Sequence, residues 1–95
     1  MTAALAAGAR VRVRDDWPET RGACHIRTPH YLRGQAGTVL RHLGDFPNPE
    51  DLAFRRAAAS VALYHVAFAV DDIWPEGRPG DAVIAEIYEH WLEAA

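Results

Sequence analysis

Cys24-His25-Ile26-Arg27-Thr28-Pro29-His30-Tyr31-Leu32-Arg33-Gly34-Gln35-Ala36-Gly37-Thr38-Val39-Leu40 is the stretch around which the 95-residue chain is arranged. Its first part gathers two histidines, two arginines and a tyrosine around Pro29, whose ring fixes φ and stiffens the segment. Its second part passes through Gly34 and Gly37 into Thr38-Val39-Leu40-Arg41, a β-prone run. Glycine at these two positions permits positive φ or a close backbone approach. A polar loop, a Gly-x-x-Gly turn and a strand are common parts of a small β-barrel, although their order alone does not define one.

The flanking sequence extends this β pattern in both directions. Arg10-Val11-Arg12-Val13-Arg14 alternates strictly, so Val11 and Val13 face a core and the arginines line the opposite side of a strand. Asp15-Asp16-Trp17-Pro18 ends it, and Trp17 to Pro29 forms an irregular excursion. After Arg41, the glycine and prolines of His42 to Pro49 predict a loop. Asp51 can cap a short helix near residues 51–59, where Ala57-Ala58-Ala59 has high helical propensity; a loop is the competing reading. Leu52 and Phe54 would anchor either form.

Val61-Ala62-Leu63-Tyr64-His65-Val66-Ala67-Phe68 carries the strongest strand signal, with Tyr64, Val66 and Phe68 on one face. Asp71-Asp72-Ile73-Trp74-Pro75 predicts a turn whose Ile73 and Trp74 plug one end of a barrel. Ala82 to Tyr88 reads as a further strand, though Asp81 to Leu92 also fits an amphipathic helix with Ile84, Ile87, Tyr88 and Trp91 on one side. The order of elements favours the strand, because the sheet needs another edge. The expectation is one mostly β domain over residues 10–95, a small barrel with irregular loops, behind a flexible lead-in of residues 1–9.

A domain of this size has a modest core, so burial against a partner is expected. All 10 basic residues are arginine, set against 13 carboxylates, for a formal net charge of -3. Arg10, Arg12, Arg14, Arg21, Arg27, Arg33 and Arg41 fall in the first half, whereas carboxylates dominate from Asp71 onward. That asymmetry suits either an acidic partner surface or one folded surface of mixed sign, and it does not require nucleic-acid binding. The single Cys24 cannot form an internal disulfide, so a cytoplasmic location is expected. Residues 1–8 lack the pattern of a signal peptide, and no apolar run is long enough for a membrane span.

Arg10-Val11-Arg12-Val13-Arg14-Asp15, the segment His25 to Gly34, Gly37-Thr38-Val39, Leu63 to Phe68, Ile73-Trp74 and Tyr88-Glu89-His90-Trp91-Leu92-Glu93 together carry a family resemblance. In this order they resemble the C-terminal, SH3-like barrel of the nitrile hydratase β subunit and the corresponding small subunit of thiocyanate hydrolase. The resemblance implies an SH3-like barrel that holds no metal itself. It implies a partner α-type subunit whose cysteine-rich claw, with two oxidised cysteines, carries Co(III) or Fe(III). The position matching the family's His-x-Arg pattern is Arg27, and the implied role is a charge-assisted contact from its guanidinium to the partner's oxidised cysteines. His25, His30, Tyr31 and Arg33 would lie at the same interface, with Tyr31 and Arg33 either bracing the loop or touching the partner. The bland reading of Arg27 is a salt bridge to Asp45 or Glu50, or a solvent contact. His25, His30 and Cys24 do not have the ligand number or spacing of a zinc site.

The family's β subunit also has a helical N-terminal half, which this sequence does not contain; a separate helical subunit is therefore an implied partner. The resemblance thus points to a small metal-free subunit, inactive alone, of a hetero-oligomeric enzyme that hydrates a nitrile to an amide. Three alternatives stand beside it: a subunit of thiocyanate hydrolase, an assembly factor for the metal-bearing subunit, and a small barrel that binds nucleic acid or peptide. The last would use Arg10, Arg12 and Arg14 as a phosphate-facing strip, against the net negative charge.

Overall fold

The computed structural model describes residues 5–17, 28–50 and 60–95. Five antiparallel strands form one sheet: β1 (Arg10–Val13), β2 (Ala36–Pro47), β3 (Ser60–Ala69), β4 (Ala82–Tyr88) and β5 (Leu92–Ala94), in the order β4-β3-β2-β1-β5. A short helix, α1 (Val70–Ile73), follows β3, and single 3-10 turns occupy His30–Leu32 and Glu89–Trp91. The fold is mostly β, as the alternation predicts.

The connection between β4 and β5 explains why the sheet is rolled. These strands lie at opposite edges of the sheet, yet only the turn Glu89–Trp91 joins them. Flat strands would hold the edges about 19 Å apart, at roughly 4.8 Å per neighbour. Four Cα steps reach about 14 Å at most. The sheet must therefore curl until its edges approach, which gives the SH3-like barrel.

Its interior is filled by Val11 and Val13 from β1, Val39 from β2, Tyr64, Val66 and Phe68 from β3, and Ile87 from β4, each at most 2% exposed. Leu32 closes the cluster from the first 3-10 turn, Trp91 from the second and Leu92 from β5. Each fully buried side chain of this size contributes about 1.5–3 kcal/mol relative to exposure. Outside, Arg10 donates to the Thr38 hydroxyl at 2.7 Å and Arg12 to the Gly34 carbonyl at 2.8 Å. Two of the three arginines of the suggested phosphate strip, Arg10 and Arg12, thus serve contacts within the chain.

Two local expectations need correction. β2 does not stop at Arg41: it continues through the stretch expected as a loop, because the long β3 pairs with it as far as Pro47 opposite Ser60. Register shifts between Val39 and Arg41 and between His42 and Gly44 bend the strand, and Pro47 stands at its end, where a missing N–H is tolerated. Ala82 to Tyr88 forms β4, the strand that the order of elements favours over the helix, and the chain continues through a 3-10 turn into β5, a strand absent from the periodicity because it spans only Leu92–Ala94. Hydrogen bonds join the described part of the lead-in to the barrel. Leu5 donates its backbone N–H to the Tyr64 hydroxyl at 2.9 Å, and Gly8 donates to the Val39 carbonyl at 2.8 Å. Finally, Trp74 is 36% exposed and does not plug the barrel, whereas Ile73 packs on the core as expected. The helix expected near residues 51–59, with Leu52 and Phe54, lies outside the described residues.

Candidate functional site

The loop leading into β2 is built from Pro29. With φ -60° and ψ 140°, Pro29 directs the chain into the turn His30–Leu32, where Leu32 and Arg33 donate backbone N–H groups to the carbonyls of Pro29 and His30. The turn drives Leu32 into the core and leaves His30 and Tyr31 exposed on its outside. Gly34, at φ +81°, then reverses the chain so that its N–H reaches the Val13 carbonyl at 2.9 Å. Gly37 serves a different need: a β-carbon there would sit 2.8 Å from the Ala67 carbonyl oxygen and 2.8 Å from Cε1 of Phe68. The Gly-x-x-Gly signal thus combines one conformational glycine with one packing glycine.

Arg33 is the buried cation of this region, only 7% exposed. Its guanidinium carbon lies 4.5 Å from the ring centroid of Trp17 and 5.0 Å from that of Trp91, so a planar cation sits against two indoles. Trp17 also stacks on His30, with centroids 5.5 Å apart and planes 21° from parallel. Beyond Trp91, the indole Nε1–H donates to Oε1 of Glu50 at 2.8 Å, and Nε2 of His90 comes within 3.2 Å of the same oxygen. A cleft of about 200 Å³ lies beside this chain of contacts, lined by Arg14, Asp16, Glu50, His90 and Trp91. On the outer side, Tyr31 and Trp74 face one another with ring centroids 5.3 Å apart, and both are exposed.

These contacts locate His30, Tyr31 and Arg33 on one loop and give them different surroundings. Arg33 braces the barrel from inside, whereas His30 and Tyr31 present aromatic surface. Arg27, His25 and Cys24 lie outside the described residues, which resume at Thr28, itself buried. Sequence reading did not place Trp17 at this site, offered Glu50 only as a salt-bridge partner of Arg27, and took Trp91 as a family motif or helix face. Trp17, Trp91 and Arg33 meet only through the fold, and no local spacing announces them. Among the described residues no three or more His, Cys, Asp or Glu side chains gather as metal ligands. The described donor set does not fit a metal ion of its own.

Residues 1–94 match the family model described as nitrile hydratase beta subunit, C-terminal. The nitrile hydratase subunit beta of Rhodococcus erythropolis is 33% identical over 96 residues, covering 99% of this chain and 43% of that protein. The thiocyanate hydrolase subunit alpha of Thiobacillus thioparus is 36% identical over 91 residues, covering 93% of this chain and 69% of that one. Among solved structures, the recombinant apo-enzyme of thiocyanate hydrolase from Thiobacillus thioparus superposes with a TM-score of 0.86 at 33% identity, covering 99% of this chain and 78% of its counterpart. The chain spans less than half the length of the nitrile hydratase subunit it matches. Matched from end to end in sequence and built on the same barrel, this chain belongs to the family of the C-terminal domain of the nitrile hydratase beta subunit.

Proposed function

We propose that this chain is a metal-free subunit of a nitrile-hydratase-like complex, inactive by itself, that supports hydration of a nitrile to an amide in a partner's metal site. The observation that carries the reading is the family match over residues 1–94. The metal, cobalt or iron, belongs to a claw-bearing α-type subunit; no reaction step is assigned to a metal on this chain. The contribution of this chain is to hold and shape. Arg27 extends a planar set of donors to the oxidised cysteines of the partner, fixing their oxygens through charge-assisted hydrogen bonds. His25, His30 and Tyr31 lie at the rim of the same contact, with Arg33 behind them.

Thiocyanate hydrolysis is the second reading, favoured by the TM-score of 0.86 to the thiocyanate hydrolase structure. A separate helical subunit would then complete the assembly. Purification of the tagged chain from its own cells, with mass spectrometry and metal analysis of what accompanies it, tests the proposal. A claw-bearing subunit retained in near-stoichiometric amount in the active complex supports a structural subunit; a partner held only before metal insertion identifies an assembly factor. Turnover of nitriles or of thiocyanate by the recovered complex separates the two substrates.

A further inference from the structure

Trp74 stands just past α1, and the chain from it to Asp81 folds back onto that helix. Gly77 donates its backbone N–H to the Trp74 carbonyl at 2.9 Å, and Val70 donates to the Asp81 carbonyl at 3.0 Å. Gly77 lies so close to α1 that a β-carbon there would sit 2.7 Å from Cγ1 of Val70. Trp74 is thus held out, 36% exposed, by a packed support, which lowers the ordering cost of binding. Tyr31 meets it from the loop before β2, with ring centroids 5.3 Å apart, and is fixed in place by Leu32, which is fully buried.

Beside Trp74 runs an open cleft of about 630 Å³, lined also by Val70, Glu76, Gly77, Arg78 and Asp81. Residues 70–81 carry Asp71, Asp72, Glu76 and Asp81 against the single Arg78, all exposed. None of these four carboxylates has an ion-pair partner among the described residues. An exposed indole face attracts a cation, and unneutralised carboxylates around it strengthen that attraction while repelling phosphate. Tryptophan and tyrosine are also the side chains that most often anchor a protein contact.

We propose that the Trp74 cleft is a docking site for a basic, arginine-bearing segment of a partner protein, one guanidinium lying on the Trp74 ring and its neighbours meeting Glu76 and Asp81. Arginine suits the place better than lysine, being planar and more weakly hydrated. The site uses neither Arg27 nor a metal-bearing partner, and so goes beyond the function proposed above.

Titration of the full chain with a hexa-arginine peptide, followed by NMR at the indole N–H groups of its 3 tryptophans, tests the site. Trp17 is also exposed and Trp91 is buried, so both serve as internal controls. The expected result is a saturable shift of the Trp74 signal that fades at high salt, with Trp17 and Trp91 unmoved and hexa-glutamate without effect. Trp74→Ala should weaken binding by about tenfold, the scale of a desolvated cation–π contact. Glu76→Gln combined with Asp81→Asn should weaken it several-fold. A Trp74-selective shift that these charge changes reduce supports the site even where Trp74→Ala fails to fold. A Trp74 signal that stays still, an equal shift at Trp17, or an affinity indifferent to Trp74→Ala overturns it. So does a Trp74 signal that moves with protein concentration alone, which assigns the surface to a second copy of the chain.

Discussion

Trp91 and Glu50, 41 positions apart in sequence, are joined by an indole N–H that donates to a carboxylate oxygen at 2.8 Å. The bond ties the turn before β5 to the chain just beyond β2, and it leaves the Trp91 ring face in place for Arg33. Trp91→Phe keeps an aromatic face but removes the donor. A hydrogen bond to a charged group contributes about 1.5–3 kcal/mol, so the expected loss in urea unfolding is in that range. Glu50→Gln keeps an acceptor oxygen and should lose less.

The two glycines entering β2 should respond to alanine in different ways. At Gly37 the added β-carbon meets the Ala67 carbonyl and the Phe68 ring, both at 2.8 Å, so backbone or core must move. Overpacking of this kind costs about 1–3 kcal/mol. At Gly34 the nearest atom would be Asp15 Cβ at 3.7 Å, an ordinary contact, and only the φ of +81° opposes the substitution. The expected penalty is about 1 kcal/mol, reduced further by Gly34→Asn, since asparagine tolerates the left-handed region. Equal losses at the two positions in thermal or urea unfolding would contradict this division.

Tyr64 is fully buried, yet its hydroxyl accepts the Leu5 backbone N–H at 2.9 Å. Tyr64→Phe should therefore loosen the start of the chain more than the barrel. The expected result is a global loss of about 0.5–1.5 kcal/mol. Amide exchange at Leu5 should accelerate by about tenfold while Val66 in β3 keeps its protection. Parallel acceleration at both sites would show that the hydroxyl supports the core and not the lead-in.

What the sequence revealed of the fold follows the physics of each element. Val11 and Val13, and Tyr64, Val66 and Phe68, alternate because one face of each strand is buried, and those strands were legible. β2 was legible only to Arg41, since Gly44 and Pro47 carry turn signals that pairing with β3 overrides. Leu92–Ala94 is too short to show a period, and its pairing with β1 depends on the rolled sheet. At the candidate site, the His-x-Arg pattern directed attention to Arg27, but the Trp17–Arg33–Trp91 stack joins residues far apart in sequence, which only the fold brings together.

The central claim is that this barrel binds a claw-bearing subunit through Arg27. The most direct measurement is co-expression of the full chain with an α-type subunit of the family, followed by isolation of the complex and determination of its subunit ratio and metal content. The expected result is a near-stoichiometric complex containing cobalt or iron, with Arg27→Lys weakening association by about tenfold, the scale of one lost charge-assisted contact. Recovery of this chain alone, or of a complex whose affinity is indifferent to Arg27→Lys, would contradict the claim.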